Sequence, residues 1–576
     1  MSDMQRLAEL SPQIIDFVSK RAATDEYAAY CRNLLTELIE IDTSIGSDLD
    51  RLAQNESRTF DVLESEIKAI VGGEALVERC PIDPAIEADC FYSMPYYAAT
   101  AACPRPSVER VYRNRTNLVV HVDRRQQGVG CVYNSHVDTV APYVAGRPNG
   151  EQVLGRGACD AKGQLVLMVA QMKLLEEVRR TFGWTPSGPR AYHFVIDEES
   201  GGNGSLSLAR DPRWAGYQVV VHEPTGNIPH PANRGAVWYR CAMSSCGEVG
   251  INPLEMMPFV VTSLEEAGRQ LRQQSHHELF RPQHIQTNHG VLGEYGRHPA
   301  AVNDHVAVTV TIKATANPER IQMRLVEMID AMLTEYTRVY GDKTRQLDPA
   351  TGEQVLARHY AVRFEPSDDG LRYRIDFFGK AGHMGALSEC DGAITKAAFV
   401  LRALMKVAQN YPQIEAVGRL ADGGAADPLV LEGGQGFVPT HSLEDVTRRL
   451  AEAAQAGAQQ YCRFRQVAFK PEMAHMSFDK LHNEAYASDL GCPVFRAFAT
   501  AHRALGLAWP EPTGWGVSCD ARIYAHYGHS VVTYGPGSIE RAHGDGEWID
   551  VRHIQQALVT TTLAAGALGQ PQAAQP

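Results

Sequence analysis

The sequence predicts an α/β fold of two or three layers around a mainly parallel sheet, interrupted by an inserted α+β domain. Three observations lead there. Up to about residue 228, short β-rich runs alternate with helical stretches. The middle, 234–485, changes texture and looks internally doubled. The last stretch, 486–576, returns to the style of the first.

The opening stretch, 1–233, places Tyr30, Leu34 and Leu38 of 26–41 on one helical face. The runs NLVVHV (117–122), CVYNSHV (131–137), HFVIDE (193–198) and YQVVVHE (217–223) read as strands bounded by turns. The apolar segment 164–178 between the second and third of them reads as a helix. At the other end SVVTYG (530–535) is expected to be a strand and 551–568 a closing helix. Within the insert, two α+β subdomains are expected at about 234–345 and 370–485. YCRFRQVAF (461–469) is taken as the last strand of the second. One long insertion without true repetition is the plainer alternative.

At 576 residues the chain needs more than one core. A composition of 44% hydrophobic and 21% charged residues is globular. The net charge of -13 excludes a general nucleic-acid binder, which needs a basic surface. No run of about 18 apolar residues offers a membrane span. The 12 cysteines form no C-x-x-C pair and no secretory start is visible, so a cytoplasmic location is expected.

Five segments carry potential chemistry. SHVDTV (135–140) offers His136 as a metal ligand, with Asp138 to accept the proton of its other ring nitrogen. A second H-x-D, His121 and Asp123, precedes a basic turn and reads as ordinary strand and turn. In GRGACDAKG (155–163) the glycines allow a tight turn that delivers Asp160 at a helix start, as a carboxylate able to bridge two cations. Glu198 and Glu199, at the end of an apolar run, repel each other unless a cation lies beside them. One as ligand and the other as general base is an economical division. Glu223 ends another buried-looking strand, and His543 sits in a loop before the closing helix.

In this order the strings SHVDTV, GRGACDAKG, DEESGGNG, HEPT, GWGVSCDAR and YGPGSIERAHGDGE resemble the M20 family of metallopeptidases and amidohydrolases. The resemblance implies a zinc-peptidase catalytic domain with a ferredoxin-like lid. It implies two divalent metals, zinc by preference with cobalt or manganese possible. Asp160 would bridge them, with His136 and Glu223 on one and Glu199 and His543 on the other, and Glu198 would be the general base. A cis peptide after the bridging Asp160 is also expected. From the lid, GKAGHMG (379–385) would supply His383 as oxyanion donor. Asn303 and one of Arg463, Arg465 and Arg522 would contact the substrate. A doubled lid resembles the monomeric bacterial dipeptidases, so a monomer is expected, with a homodimer as alternative. The activity expected is a dipeptidase acting on a small peptide. An N-acyl-amino-acid or carbamoyl amidohydrolase is the second choice. A non-catalytic metal-binding protein on the same fold is the choice from another class, and Glu198 beside a complete ligand set argues against it.

Overall fold

Two strands buried at every position, Cys131–His136 and Arg190–Val195, form the middle of a six-stranded sheet. Both faces of these strands are covered, so their polar Asn134, Ser135 and His193 are buried along with the apolar residues. The computed structural model describes residues 11–100, 102–281, 285–296, 301–313, 318–342, 345–347, 354–356, 358–367, 370–380, 382–383, 391–408, 416–420, 426–478, 482–544 and 546–568. The chain divides into two units: Met1–Gly235, His277–Phe280 and Lys480–Pro576 in the first, Ala236–His276 and Arg281–Asp479 in the second.

In the first unit the sheet order is Leu76–Pro81, Thr116–Val122, Arg190–Val195, Cys131–His136, Gln218–Val221, Val531–Thr533. The first two pairings are antiparallel and the remaining three parallel. The parallel register sets His136 opposite Val195 and Asn134 opposite Val221. Chain leaving these strands therefore emerges along one edge, where α/β sheets place their ligands. The helix Lys162–Phe182 is buried over most of its length, and Gln171 donates to the Thr561 carbonyl of the helix Val551–Leu568. Gln555 of that last helix donates to the carbonyls of Ala22 and Thr24, so the two ends of the chain close one core.

The second unit holds two main sheets. One has the order Thr287–Leu292, Leu429–Phe437, Gly235–Met243, Ala474–Ser477. The other has Tyr360–Ser367, Gly370–Phe378, His305–Lys313, Ala416–Leu420. The sequence order in the second sheet is strand, helix Pro318–Tyr340, two strands, helix Ala393–Ala408, strand. The first sheet follows the same pattern with helices Pro253–Gln274 and Leu443–Arg465, but the whole of the other set is inserted between its strands Thr287–Leu292 and Leu429–Phe437. This corrects the division at 234–345 and 370–485: the two α+β sets are nested, not consecutive. Strand pairing across long sequence separation decides this, and no local periodicity reports it.

A second correction concerns 461–469. Tyr461 and Cys462 close the helix Leu443–Arg465, continuing the buried stripe Leu450, Ala454, Ala458. Gln466 caps it in the left-handed region at φ 58°. The alternating Arg463 and Arg465 mimic a strand, but the i, i+4 stripe outweighs them. Among the described residues no helix is long and apolar enough to cross a membrane.

Candidate active site

Three of the parallel strands of the first sheet lead into ligating groups at one edge: His136, Glu198 with Glu199, and Glu223. His136 ends its own strand and is 1% exposed. Its Nε2 lies 3.1 Å from Asp160 Oδ1. The peptide Asp160–Ala161 is cis, as the sequence led us to expect, and the helix Lys162–Phe182 starts directly after it. The other oxygen of Asp160, Oδ2, is 3.3 Å from His543 Nε2. His543 Nε2 is in turn 3.1 Å from Glu199 Oε1. Asp160 thus stands between two histidines, one on each carboxylate oxygen. His136, Asp160 and Glu199 bring one ligand atom each within 4.8 Å of one another. Glu198 Oε2 lies 3.9 Å from His136 Nε2. Glu223, two residues beyond the strand Gln218–Val221, is buried, and its charge is felt by His136.

The electrostatics are those of crowded acids. Burial pushes the Glu198 carboxyl well above the carboxylate range; His136 opposes this, and Asp520 and Glu199 add to it. Burial likewise raises Glu223, with Glu198 and Asp160 reinforcing it. Asp160 is the exception: burial pushes it up, but contact with His136 and His543 holds it below its usual range. Both histidines are held well above 6.5 by these carboxylates, against the opposing effect of burial.

Asp138 plays a different part from the one expected. His136 Nδ1 is 2.9 Å from the Asp138 backbone carbonyl and 3.7 Å from its carboxylate. The carbonyl, not the side chain, is therefore the partner that orients the imidazole. The Asp138 carboxylate accepts the backbone amides of Glu198 at 3.2 Å and Glu199 at 3.0 Å. It ties the loop after His136 to the turn carrying both glutamates, and burial raises it to about 7.

A profile of the peptidase family M20/M25/M40 matches residues 132–565. The chain belongs to this family. Among curated relatives, a Peptidase M20 domain-containing protein of Schizosaccharomyces pombe is 33% identical over 134 residues, 22% of this chain and 32% of the relative. A protein of Aspergillus terreus named "Probable carboxypeptidase" is 33% identical over 124 residues, 19% of this chain and 26% of the relative. The matched segments thus span about a quarter to a third of these relatives. Two solved structures share the fold of this M20 chain over 97% of its length. Human carnosine dipeptidase 1 has a TM-score of 0.55 at 11% identity and is covered over 100%. The di-peptidase Dug1p of Saccharomyces cerevisiae has a TM-score of 0.56 at 12% identity and is covered over 99%.

The arginines proposed for a substrate carboxylate are placed otherwise. Arg522 is buried, and its two amino groups donate to the carbonyls of Cys519 at 2.9 Å and Gly201 at 2.8 Å. It fastens the glutamate turn to the 519–522 segment instead of offering an open fork. Arg465 binds the buried carboxylate of Glu255, which also accepts from Tyr461 at 2.8 Å. Arg463 is exposed on the same helix. In the second unit, Gly382–His383 pairs with Ala301–Val302, which sets the His383 backbone beside the segment that ends at Asn303. The buried Asn303 accepts from the His305 amide at 2.9 Å. The side chain of His383 lies outside the described residues, as does most of the GKAGHMG segment after it. His121 and Asp123 are elsewhere, His121 against Tyr217 and Asp123 paired with Arg190.

Several supporting residues escaped the sequence reading. Glu547 accepts the amides of Cys159 at 2.9 Å and Asp160 at 3.1 Å, and its other oxygen takes Arg156 at 2.7 Å. Arg156 also donates to the His543 carbonyl at 3.3 Å. One buried pair therefore holds the Asp160 turn and the His543 loop together. Both residues lie inside strings that were noticed, GRGACDAKG and AHGDGE, but nothing in their spacing announces the pairing. Asp520 lies against Gly202, where an added Cβ would fall 2.1 Å from its Oδ1. With φ at +78° as well, Gly202 admits no side chain.

Proposed function

We propose that the chain is a two-metal hydrolase of the peptide bond of a small substrate, a dipeptidase. The observation that carries this proposal is Asp160, with His136 and His543 on its two oxygens. Asp160 would bridge two cations, His136 and Glu223 completing one set and Glu199 and His543 the other. The donors fit: imidazole and carboxylate suit zinc, with cobalt or manganese also accommodated. The charge fits too, because Glu198 and Glu223, raised by burial and by neighbouring carboxylates, gain most from a nearby cation. When bound, the cations would supply Lewis-acid charge and acidify a water. Glu198 would take the proton of that water and return it to the leaving nitrogen. Its position beside His136, on a turn gripped by Asp138, suits that role. Asn303 and His383 remain the second unit's candidate donors to substrate.

The dipeptidase choice rests on fold likeness to two dipeptidases and on relatives named as carboxypeptidases, which point to short peptides with a free carboxylate. A relative from Sulfurisphaera tokodaii named [LysW]-lysine/[LysW]-ornithine hydrolase, 31% identical over 94 residues, keeps amidohydrolase action as the second choice. It covers 16% of this chain and 25% of the relative. Turnover should be measured on a panel of dipeptides and N-acyl amino acids with added Zn²⁺, Co²⁺ or Mn²⁺. Dipeptides are expected to be the better substrates. Cleavage confined to N-acyl amino acids would replace the dipeptidase by a deacylase, and silence across the panel would remove catalysis.

Metal binding should depend on pH in a fixed direction. Without a cation, both histidines are held protonated well above 6.5, yet a ligand imidazole must be neutral. Binding must therefore release protons, and affinity should rise as pH rises above 6.5. Competition with a chelator at a series of pH values reads this directly; an affinity that is flat or falls with pH contradicts the ligand set.

A further inference from the structure

We infer that Asp197 is a positioning residue, held by a buried tether from the N-terminal 131 residues, and that the tether sets the placement of Glu198 and Glu199. This rests on the roles proposed above for those two glutamates. The tether itself comes from chain that precedes the family match at 132–565.

Asp197 immediately precedes the 3-10 turn Glu198–Ser200 and adopts a left-handed φ of 72°. That region is unfavourable for a residue other than glycine, though Asp and Asn tolerate it best. Something must hold it, and its completely buried carboxylate shows what. Oδ1 accepts the hydroxyls of Tyr97 and Ser200, each at 2.5 Å. Oδ2 accepts the Tyr112 hydroxyl and, at 3.4 Å, the Asn203 amide nitrogen. Behind the tyrosines stands Arg115, 1% exposed, which donates to the Tyr97 hydroxyl at 2.7 Å. The same guanidinium forks onto Glu56 at 2.8 and 2.6 Å. Its carbon lies 5.8 Å from the Tyr97 ring centre and 5.1 Å from that of Tyr112. Glu56 is fully buried on the helix Leu49–Val71.

A buried charged network whose members are hydrogen-bonded to one another is rigid, because each alternative geometry leaves a buried group unpaired. The turn is thus gripped from two sides. Asp138 takes the amides of Glu198 and Glu199, and Asp197 anchors the residue before them. A site needs its groups held within about 0.5 Å and 10–20°. Arg522 holds the far end of the turn through the Gly201 carbonyl, and Asp197 fixes the end from which both glutamates follow.

The test uses Tyr112→Phe and Asp197→Asn in the full chain. Zn²⁺ affinity is measured by chelator competition, and kcat and KM on the best dipeptide of the panel. Each variant should weaken the binding of at least one Zn²⁺ and lower kcat, both by about 10- to 100-fold, with KM little changed. Leu63→Ala, in the core of the same helix, controls for general loosening. It should lower the melting temperature while leaving Zn²⁺ affinity unaltered. Wild-type Zn²⁺ affinity and kcat in both tether variants would overturn the inference. So would a matching loss of affinity in Leu63→Ala, which would make the effect one of stability alone. Should Asp197→Asn prove unfolded, Tyr112→Phe, which removes a single oxygen, decides. The role of Glu198 is judged separately, by Glu198→Gln, so failure there is distinguishable from failure of the tether, which Zn²⁺ affinity reads.

Discussion

Glu198→Gln is expected to lower kcat by about 10²–10⁴-fold while both metals stay bound. The carboxamide keeps the size of the side chain and leaves the backbone amide free to donate to Asp138 as before. What it removes is the capacity to accept a proton. Glu198 is suited to that task because burial and the neighbouring Asp520 and Glu199 raise its proton affinity, while His136 keeps that rise in check. A carboxyl held near the ordinary range of exposed acids would take a proton less readily at neutral pH. Metal content by mass spectrometry, beside kcat on the preferred dipeptide, makes the check. A variant that loses its metals along with its activity would show Glu198 to be a ligand, and one that keeps full activity would remove it from the chemistry.

Asp160→Asn should have the larger effect on binding. Its two oxygens face two different histidines, one from each proposed half of the site. An amide offers one neutral oxygen and a nitrogen that cannot ligate, so it cannot bridge. Metal content is expected to fall from two per chain to one or none. Turnover should drop by more than the roughly 10- to 100-fold that loss of an outer-shell partner costs. The turn itself should survive, because Glu547 and Arg156 grip it through the backbone amides of Cys159 and Asp160. An unchanged circular dichroism spectrum with lost metal is the expected pair of results. Retention of two metals at wild-type affinity would show that Asp160 does not bridge.

Much of this site was legible because its groups sit at the ends of buried strands. Glu198 with Glu199 follows the apolar run HFVI and Glu223 the run VVV, and a charged group at such a place needs a reason. Asp160 was found by the glycines around it, and its cis peptide agrees with the resemblance. The supporting shell was not legible. Asp197 looked like one acid in a row of three, yet its backbone conformation and four donors set it apart from Glu198 and Glu199. Arg522 looked like a substrate fork, and Asp138 like the tautomer's partner, because sequence gives residue type but not what a side chain reaches. The lid shows the same limit. Its 461–469 segment reads as a strand but is helical up to Arg465, and the nesting of one α+β set inside the other could not be read at all.

By itself the sequence determined the buried strands of the first unit, the helix after Asp160 and the closing helix, and which of these strands lead into residues of a type able to bind metal. These are local matters, settled by the spacing of apolar residues over ten or twenty positions. Only the tertiary structure decided that Glu547 meets Asp160 across 387 residues. It also decided that Glu56 reaches Asp197, just before the Glu198–Ser200 turn, through Arg115 and Tyr97. Pairings of this kind follow from parallel register and from the demand that every buried charge find a partner. Both are properties of the closed core, and no short stretch of chain carries either.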